Sequence, residues 1–453
     1  MITEQEKNIA RHCIRYAMAN GADGARVSLS KSVMDSCSIF NEALDKVTHA
    51  ADRSIYLYLF VNGKYGTSST NRLEIRDLES FIDNAISMVQ MLEKDECRGL
   101  PAPERTAKDA VTGMELGLYD PGYNDSDSSS RFEQVRSMSI RSSIREDGYT
   151  LISEECEYSE SIDDNFVVDS QGFEGRHTET CFSVFSEMTI QDMEGNKYSG
   201  FWWGSSFKKD GVNLQECSKK ALDRAVRQIG PKKRRSGRYR MVVETTVATK
   251  LISPIISALN ASAIQQKMSF LKDSLDRKVL PEGMTLMDLA RTPEKNGSRL
   301  FDTEGVATKD VAIVENGVVK QYFVNTYMAA KMGIEPTVED ISRPCLMPFI
   351  KGESLPSGEK GLSLEDILRR SGNGILVTGF NGGNCNPATG DFSFGIEGFA
   401  FSKGKITHPV REMLVTGNII ELWNTLTAAG SDTRLSSRWQ IPTLAFEDVS
   451  FSA

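Results

Sequence analysis

Residues Val377–Phe401 read V-T-G-F-N-G-G-N-C-N-P-A-T-G-D-F-S-F-G-I-E-G-F-A-F, and glycines recur there among aromatic and β-branched residues. Neither a helix nor an ordinary strand needs this composition, because glycine packs nothing in a strand and loses more conformational entropy on folding than other residues. Two interpretations stay open. The glycines form the bends and bulges of an antiparallel sheet, or they keep the floor of a groove bare for the backbone of another chain.

The composition is that of an ordinary globular protein. Its 453 residues suggest two or three domains at the usual size of about 150 residues each. The net charge of -9 comes from 62 acidic and 53 basic side chains, so the chain as a whole does not attract nucleic acid or an anionic membrane. The polar segment Met1–Lys7, and the lack of any apolar run of about 18 residues, predict a cytoplasmic protein without membrane association.

The cysteines and histidines bear on metal binding. Eight cysteines are scattered along the chain with no C-x-x-C pair, which fits free thiols in a reducing compartment. The four histidines are His12, His49, His177 and His408, and none is followed by a glutamate. We therefore expect no metal bound by this chain and no zinc hydrolase of the H-E-x-x-H type.

The first half begins with a helix and a hairpin. Apolar residues at helical spacing predict a helix over residues 4–20, and short strands are predicted at 26–29 and 36–40. The segment 54–70 predicts a β-hairpin, because its turn Asn62-Gly63-Lys64 has the composition of a type I′ turn.

The same pattern returns about 130 residues later. A predicted hairpin at 182–207 and a helix at 214–225 repeat the order of the 54–70 hairpin and the helix predicted at 78–92. We interpret this as an internal duplication, in which two hairpin-helix units form one sheet covered by helices. These units make up a predicted N-terminal α/β domain of residues 1–230.

Residues 120–130 combine turn-forming and acidic side chains. Calcium binding is one interpretation, but the spacing does not follow an EF-hand loop. An N-cap loop ahead of a helix at Arg131–Glu146 is favoured instead.

The second half predicts a β-rich domain over residues 238–453. The basic run Pro231–Arg240 precedes the predicted strand Met241–Glu244 and is interpreted as a solvated linker, with nucleic-acid binding the less favoured alternative. The fold class is therefore α+β with two domains: helix and β-hairpin repeats on an N-terminal sheet, then a predominantly antiparallel β domain with covering helices. The elements predicted here are hairpins with turns at Glu315–Gly317 and Lys403–Gly404, and helices over Thr246–Ala261 and Ile419–Leu426.

From about Leu251 onward the chain resembles the TldD/PmbA family, once called modulators of DNA gyrase and better described as peptidase subunits. The resemblance depends on several motifs in a fixed order, whereas any one of them alone would be unspecific. These motifs are Lys267–Leu275, Phe301–Thr308, Gly379–Gly383, Thr389–Gly395, and Pro409–Glu412 followed by Gly417-Asn418.

The family has two branches, and the resemblance assigns this chain to one of them. The TldD branch looks like a metallopeptidase with H-E-x-x-x-H on a helix, whereas the TldE (PmbA) branch lacks that motif. Counted back from Lys267, the motif would fall near Ser253–Ala258, which reads S-P-I-I-S-A. Without imidazole ligands and a general-base carboxylate, this segment cannot activate a zinc-bound water. The resemblance thus implies that zinc or another divalent metal is bound by a TldD-like partner.

Two groups of residues are candidates for a functional site. An extended peptide binds a sheet edge through main-chain hydrogen bonds, and bare glycines let its backbone approach. The pair Asp302 and Glu304 would face one side of a strand and could act on a metal or a proton, although a turn bonded to its own backbone is favoured. The candidate peptide-binding residues are Gly382, Gly383, Asn384, Thr389, Gly390 and Asp391, with Asp391 as a turn cap the alternative.

These observations predict a subunit of a cytosolic TldD/TldE-type metallopeptidase that acts on unfolded peptides. In this hypothesis the chain shapes the peptide groove in a dimer, with a TldD-like subunit or with itself, and binds no metal. A regulator that contacts DNA gyrase or nucleic acid is the alternative, supported only by the basic run. A third hypothesis is metal-free catalysis by a serine or a cysteine, with Cys385 as the candidate nucleophile and His408 as its candidate base.

Overall fold

The fold is α+β, as the sequence predicted. The structure is a computed structural model that describes residues 1–144, 147–353 and 361–453. The chain divides into two compact units, and unit 1 comprises Met1–Ala225, Arg291–Lys309 and Val324–Glu339. Unit 2 comprises Val226–Ala290, Asp310–Phe323 and Asp340–Ala453. That residues 1–230 and 238–453 fold as separate domains stays a prediction.

Unit 1 is built on a six-stranded antiparallel sheet with the strand order β3-β2-β1-β4-β5-β6. Each half of the sheet is a three-strand meander with a helix before and after it. The order of elements therefore repeats, as expected from the internal duplication predicted in the sequence. The elements are α1 (Glu4–Ala19), β1 (Gly24–Phe40), β2 (Ala43–Val61), β3 (Lys64–Thr70), α2 (Ile75–Gln90), α3 (Ser128–Met138), β4 (Tyr149–Asp169), β5 (Glu174–Asp192), β6 (Lys197–Ser206) and α4 (Leu214–Val226).

Local sequence signals explain where several of these elements begin and turn. Thr3 and Glu6 form a capping box that starts α1. Asn62 and Gly63 have φ angles of 53° and 74°, the positive values that a type I′ turn requires, so the predicted hairpin turn is confirmed. The two short strands predicted at 26–29 and 36–40 are parts of the single strand β1.

The loop at residues 120–130 caps helices, which is the interpretation that the sequence favoured over calcium binding. Asp120 accepts a hydrogen bond from the Gly122 N–H, and Asp127 forms a capping box with Ser130 at the start of α3. The helix begins and ends earlier than the predicted Arg131–Glu146. Residues 145 and 146 lie outside the described residues.

Strand β4 is absent from the sequence predictions, although it lies beside β1 at the centre of the sheet. Its alternate residues include Glu154, Glu160 and Asp164, which are at most 1% exposed. Each buried carboxylate has hydrogen-bond partners, among them the Ile140 N–H for Glu154 and the Arg131 guanidinium for Glu160. Buried carboxylates are tolerated only with such partners. An acidic strand therefore lies in the interior because loops and helices of the same unit bind its side chains.

Unit 2 contains a closed ring of five strands. These strands are β7 (Gly237–Val243), β13 (Gly374–Cys385), β14 (Asp391–Ser402), β15 (Lys405–Asn418) and β17 (Leu444–Ser452). Strand β17 pairs with β15 and with β7, and the sheet order β15-β14-β13-β7 completes the ring. Helix α5 packs against β13, and the buried Trp423 donates its indole N–H to the Leu251 carbonyl of α5 at 3.0 Å. The remaining elements are α5 (Thr245–Ala258), α6 (Ala261–Gln265), β8 (Leu286–Asp288), β9 (Val311–Glu315), β10 (Val318–Val319), α7 (Thr326–Met332, in unit 1), β11 (Pro344–Leu346), β12 (Phe349–Ile350), α8 (Leu364–Ser371), α9 (Ile419–Asn424) and β16 (Leu426–Ala429).

Candidate functional site

The glycine-rich stretch forms the hairpin of β13 and β14, and several of its glycines are required by the hairpin itself. The strand register shifts between Val377 and Gly379 and again between Asn381 and Asn384, which are bulges. A Cβ on Gly383 would overlap the carbonyl oxygen of Ser393, and one on Gly398 would overlap that of Leu376. These glycines therefore allow neighbouring backbones of the same hairpin to approach each other, which is the bent-sheet interpretation.

The outer edge of the same hairpin is nevertheless accessible. Gly382, Gly383 and Asn384 are exposed, and a Cβ on Gly382 would meet no atom within 4 Å. On its outer side, β13 pairs with β7 only at Ile375–Val377. Within the described residues, β7 therefore does not pair with the Gly379–Cys385 part of that edge. A role of these residues in peptide binding stays a prediction.

The other three predicted residues lie together in the turn that leads into β14. The Thr389 hydroxyl donates to the Asp391 carboxylate at 2.7 Å, and the Asn418 amide donates to the same carboxylate at 3.1 Å. These two bonds hold the pKa of Asp391 below its usual value. Gly390 has a φ of +82° and lies against the Phe270 ring. Asp391 is thus a turn cap in this structure.

A cavity of about 500 Å³ lies between α5, α6 and the end of β13. One wall is the part of α5 at which the family resemblance placed the metal motif. This cavity was not predicted from the sequence. A local irregularity on its wall is visible there, since Pro254 lies inside an apolar helix and cannot donate to the carbonyl four residues earlier. The lining residues are Ser253, Pro254, Ser257, Ala258, Ala263, Gln266, Met268, Phe270, Cys385 and Pro387.

The cavity wall does not fit a catalytic divalent metal. Zinc sites are built from imidazole, thiolate and carboxylate groups, and the α5 wall offers only Ser253, Pro254, Ser257 and Ala258. Across residues 1–144, 147–353 and 361–453, no three His, Cys, Asp or Glu side chains are grouped closely enough to hold a metal ion. The α5 side chains on this wall offer apolar contacts and hydroxyl groups instead of metal ligands.

Cys385 does not have the environment of a nucleophile. Burial raises the pKa of its thiol, and the nearby Asp391 acts in the same direction. Cys385 is opposite Phe392 on β14, whereas His408 is opposite Ala400. These two positions on β14 are separated by roughly 25 Å at the usual rise per residue. The hypothesis of a Cys385–His408 pair is therefore wrong in this fold.

Asp302 and Glu304 form a turn bonded to its own unit. Asp302 accepts hydrogen bonds from the Glu304 and Val306 N–H groups at 3.0 Å, and Glu304 accepts from the Thr326 hydroxyl at 2.8 Å. Burial raises the pKa of Asp302 to about 6, and repulsion from Glu339 contributes to the shift. The favoured structural interpretation agrees with these contacts.

The raised pKa of Asp302 makes unit 1 sensitive to pH. At pH values between the ordinary pKa of an aspartate, near 4, and the raised pKa of about 6, Asp302 holds a proton in the folded chain but not in the unfolded chain. The free energy of unfolding should therefore fall as pH rises through this window, by up to about 3 kcal/mol. In urea titrations between pH 4 and 7, the stability of the wild type minus that of Asp302→Asn should be largest at the acidic end. A difference independent of pH would contradict the raised pKa.

The basic run after α4 is largely engaged within unit 2. Lys233 pairs with Glu412 at 3.3 Å, Arg238 with Asp448 at 2.6 Å, and Arg240 with Glu447 at 3.6 Å. Paired cations neutralise fewer phosphates than free ones. The run therefore gives little support to a nucleic-acid interface.

Comparisons with known proteins show the family of this chain. Three family models match the chain: PmbA/TldA metallopeptidase domain 1 at residues 25–89, the central domain at 125–229, and the C-terminal domain at 236–453. A solved structure described as a candidate modulator of DNA gyrase from Bacteroides thetaiotaomicron is 39% identical, with 100% of each chain covered and a TM-score of 0.93. This chain belongs to the PmbA/TldD family.

Other PmbA/TldD relatives are more distant. Metalloprotease PmbA of Escherichia coli O157:H7 is 24% identical, with 96% of this chain and 94% of that protein covered. The solved TldE of Thermococcus kodakarensis is 17% identical with a TM-score of 0.80 over 98% of this chain and 100% of that one, which shows the shared fold. The names of the PmbA/TldD relatives imply a divalent metal in the family.

In the described part of this chain, no helix is long and apolar enough to cross a bilayer.

Proposed function

We propose that this chain is the TldE-like subunit of a TldD/TldE-type metallopeptidase, and that its TldD-like partner binds the metal. The observation that carries the proposal is the cavity wall of α5, where Ser253, Pro254 and Ala258 occupy the positions expected for the first histidine, the glutamate and the second histidine of the metal motif. Family membership supports a role in peptide hydrolysis. The proposal gives the catalytic step to the partner, because the α5 wall offers neither a metal ligand nor a general base.

The contribution assigned to this chain is to bind an extended, unfolded peptide. The unpaired outer edge of β13 at Gly382–Asn384 provides main-chain donors and acceptors, and it ends at Cys385 on the cavity wall. Addition of a strand to such an edge binds a peptide with little regard to its sequence. The complex is proposed to act in the cytosol, with zinc or another divalent metal in the partner. A dimer of this chain with itself is the alternative assembly.

Cleavage and metal content together test the proposal. The purified chain alone is expected to contain no stoichiometric metal and to cleave no unfolded peptide, whereas mixing it with a TldD-like chain should give cleavage that a chelator abolishes. The matched control is the TldD-like chain without this one. If the TldD-like chain cleaves equally well alone, this chain is not a required subunit. Robust metal-dependent cleavage by this chain alone would sink the proposal.

A further inference from the structure

Strand β2 is much longer than the strand that covers it. It runs from Ala43 to Val61, but β3 pairs only with Ile55–Val61. Among the described residues, the strand ladders leave the outer side of the remaining part, residues 43–54, without a partner. We call this part the open edge. Its residues are exposed except for Thr48 and Ser54, which are half-buried, and Val47 is 59% exposed.

The other half of the duplicated sheet shows what covers such an edge. The corresponding part of β5 donates hydrogen bonds from Arg176, Thr178 and Thr180 to the backbone carbonyls of Ala110, Gly113 and Leu118 at 2.8–3.0 Å. An extended segment of the chain itself therefore occupies that edge in the second half. In the first half the same kind of edge is free, and an uncovered strand edge is a template for pairing with another chain.

The outward groups of the open edge can be identified from the hairpin. Val61 and Lys64 flank the two-residue turn, so the N–H and C=O of Val61 point toward β3. Because these directions alternate along a strand, the backbone groups of Val47, His49 and Ala51 point outward. The register of β2 with β1 is regular from Lys46 onward, beyond the bulge next to it. A regular edge is what antiparallel pairing requires.

The charges along the open edge match a second copy of the same edge. When two copies pair antiparallel with His49 opposite His49, Lys46 of each copy is opposite Asp52 of the other, and Val47 is opposite Ala51. In the described chain neither Lys46 nor Asp52 forms a salt bridge of its own. Charges protect an edge when they repel a second copy, but in this register they attract it, and opposite charges across two strands stabilise the pairing.

We propose that two copies of this chain associate through the open edge of β2 and join their six-stranded sheets into one continuous sheet. The two-fold axis passes beside His49, whose imidazole keeps its 2.8 Å bond to Asp35. The exposed Val47 side chains are covered by the pairing. The interface is short, so the dimer is expected to be reversible and dependent on concentration. This proposal does not rest on the proposed function, because its test requires neither a peptide nor a TldD-like chain.

A charge swap tests this register specifically. Sedimentation velocity over a concentration series should show a monomer–dimer equilibrium for the wild type. Lys46→Glu and Asp52→Lys each place two like-charged pairs across the axis, and each should weaken dimerisation about tenfold to thirtyfold. The double variant Lys46→Glu/Asp52→Lys restores both pairs with opposite polarity and should dimerise like the wild type. An equimolar mixture of the two single variants should form mixed dimers for the same reason.

The alternative outcomes are distinct. A wild type that stays monomeric at all concentrations overturns the proposal, as do single variants that dimerise like the wild type, which would indicate a different interface. A double variant as weak as the single ones overturns the register. Melting temperatures serve as the folding control, and they should not change, because Lys46 and Asp52 are exposed.

Discussion

Gly383→Ala is expected to disrupt the β13–β14 hairpin, whereas Gly382→Ala is expected to leave it folded. Both residues have positive φ angles, 77° and 61°, which cost an alanine about 1–2 kcal/mol. Only at Gly383 would the added Cβ also overlap the Ser393 backbone, while at Gly382 it would point into open space. The loss of unfolding free energy should therefore exceed about 4 kcal/mol for Gly383→Ala and stay near 1–2 kcal/mol for Gly382→Ala. Urea titration of the two purified variants measures both losses.

The pair also separates folding from peptide binding at this hairpin. Because Gly382→Ala keeps the fold, it is the variant in which weaker peptide cleavage by the complex would indicate a groove at the β13 edge. Unchanged cleavage would leave the glycines with a purely structural role. Equal stability losses in the two variants would contradict the bulge geometry itself.

Arg176→Met is expected to cost about 3–5 kcal/mol, because it leaves the buried Asp164 without its cation. The Arg176 guanidinium donates to both oxygens of Asp164, at 2.9 and 2.6 Å, and that carboxylate is only 1% exposed. Burial alone would raise the pKa of Asp164, but the bonds from Arg176 and from the Ile2 N–H hold it below its usual value. Methionine keeps most of the volume of arginine, so the loss reports the missing charge. Denaturant titration at neutral pH measures it.

Arg238→Met is the matched control. Arg238 pairs with Asp448 at the same short distance of 2.6 Å, but the two side chains are 61% and 67% exposed. Water screens such a pair, so its removal should cost far less stability than the removal of Arg176. Similar losses in the two variants would show that burial does not decide the effect.

Features that depend on neighbouring residues in the sequence could be predicted. The turn at Asn62-Gly63 was one, because asparagine and glycine tolerate the positive φ angles that a tight hairpin needs. The start of α9 at Ile419 was another, since the Asn418 side chain accepts a bond from the Ile420 N–H and caps the helix there. The helix predicted over Thr246–Ala261 was a third, and it is observed as α5.

Features that depend on partners distant in the sequence could not. Strand β4 was not predicted, because Glu154 and Asp164 suggest an exposed segment until the groups that bind them are known. The cavity beside α5 escaped prediction for the same reason, since its opposite wall comes from Cys385 and Pro387. Gly383 could not be assigned to a bulge from composition alone, because its close neighbour Ser393 is on the next strand.

The closed ring of unit 2 also sets an order for the synthesis of the chain. Strands β7 and β17 close the ring, and Arg238 and Asp448, which are bonded across this closure, are 210 residues apart. Unit 2 therefore cannot close its sheet until β17 has left the ribosome, whereas all six strands of the unit 1 sheet precede residue 207. Until then one edge of β7 has no partner, and the core of the ring lacks Phe446 and Phe451, which are at most 2% exposed in the folded chain. During this interval a nascent chain exposes apolar surface that a chaperone can bind.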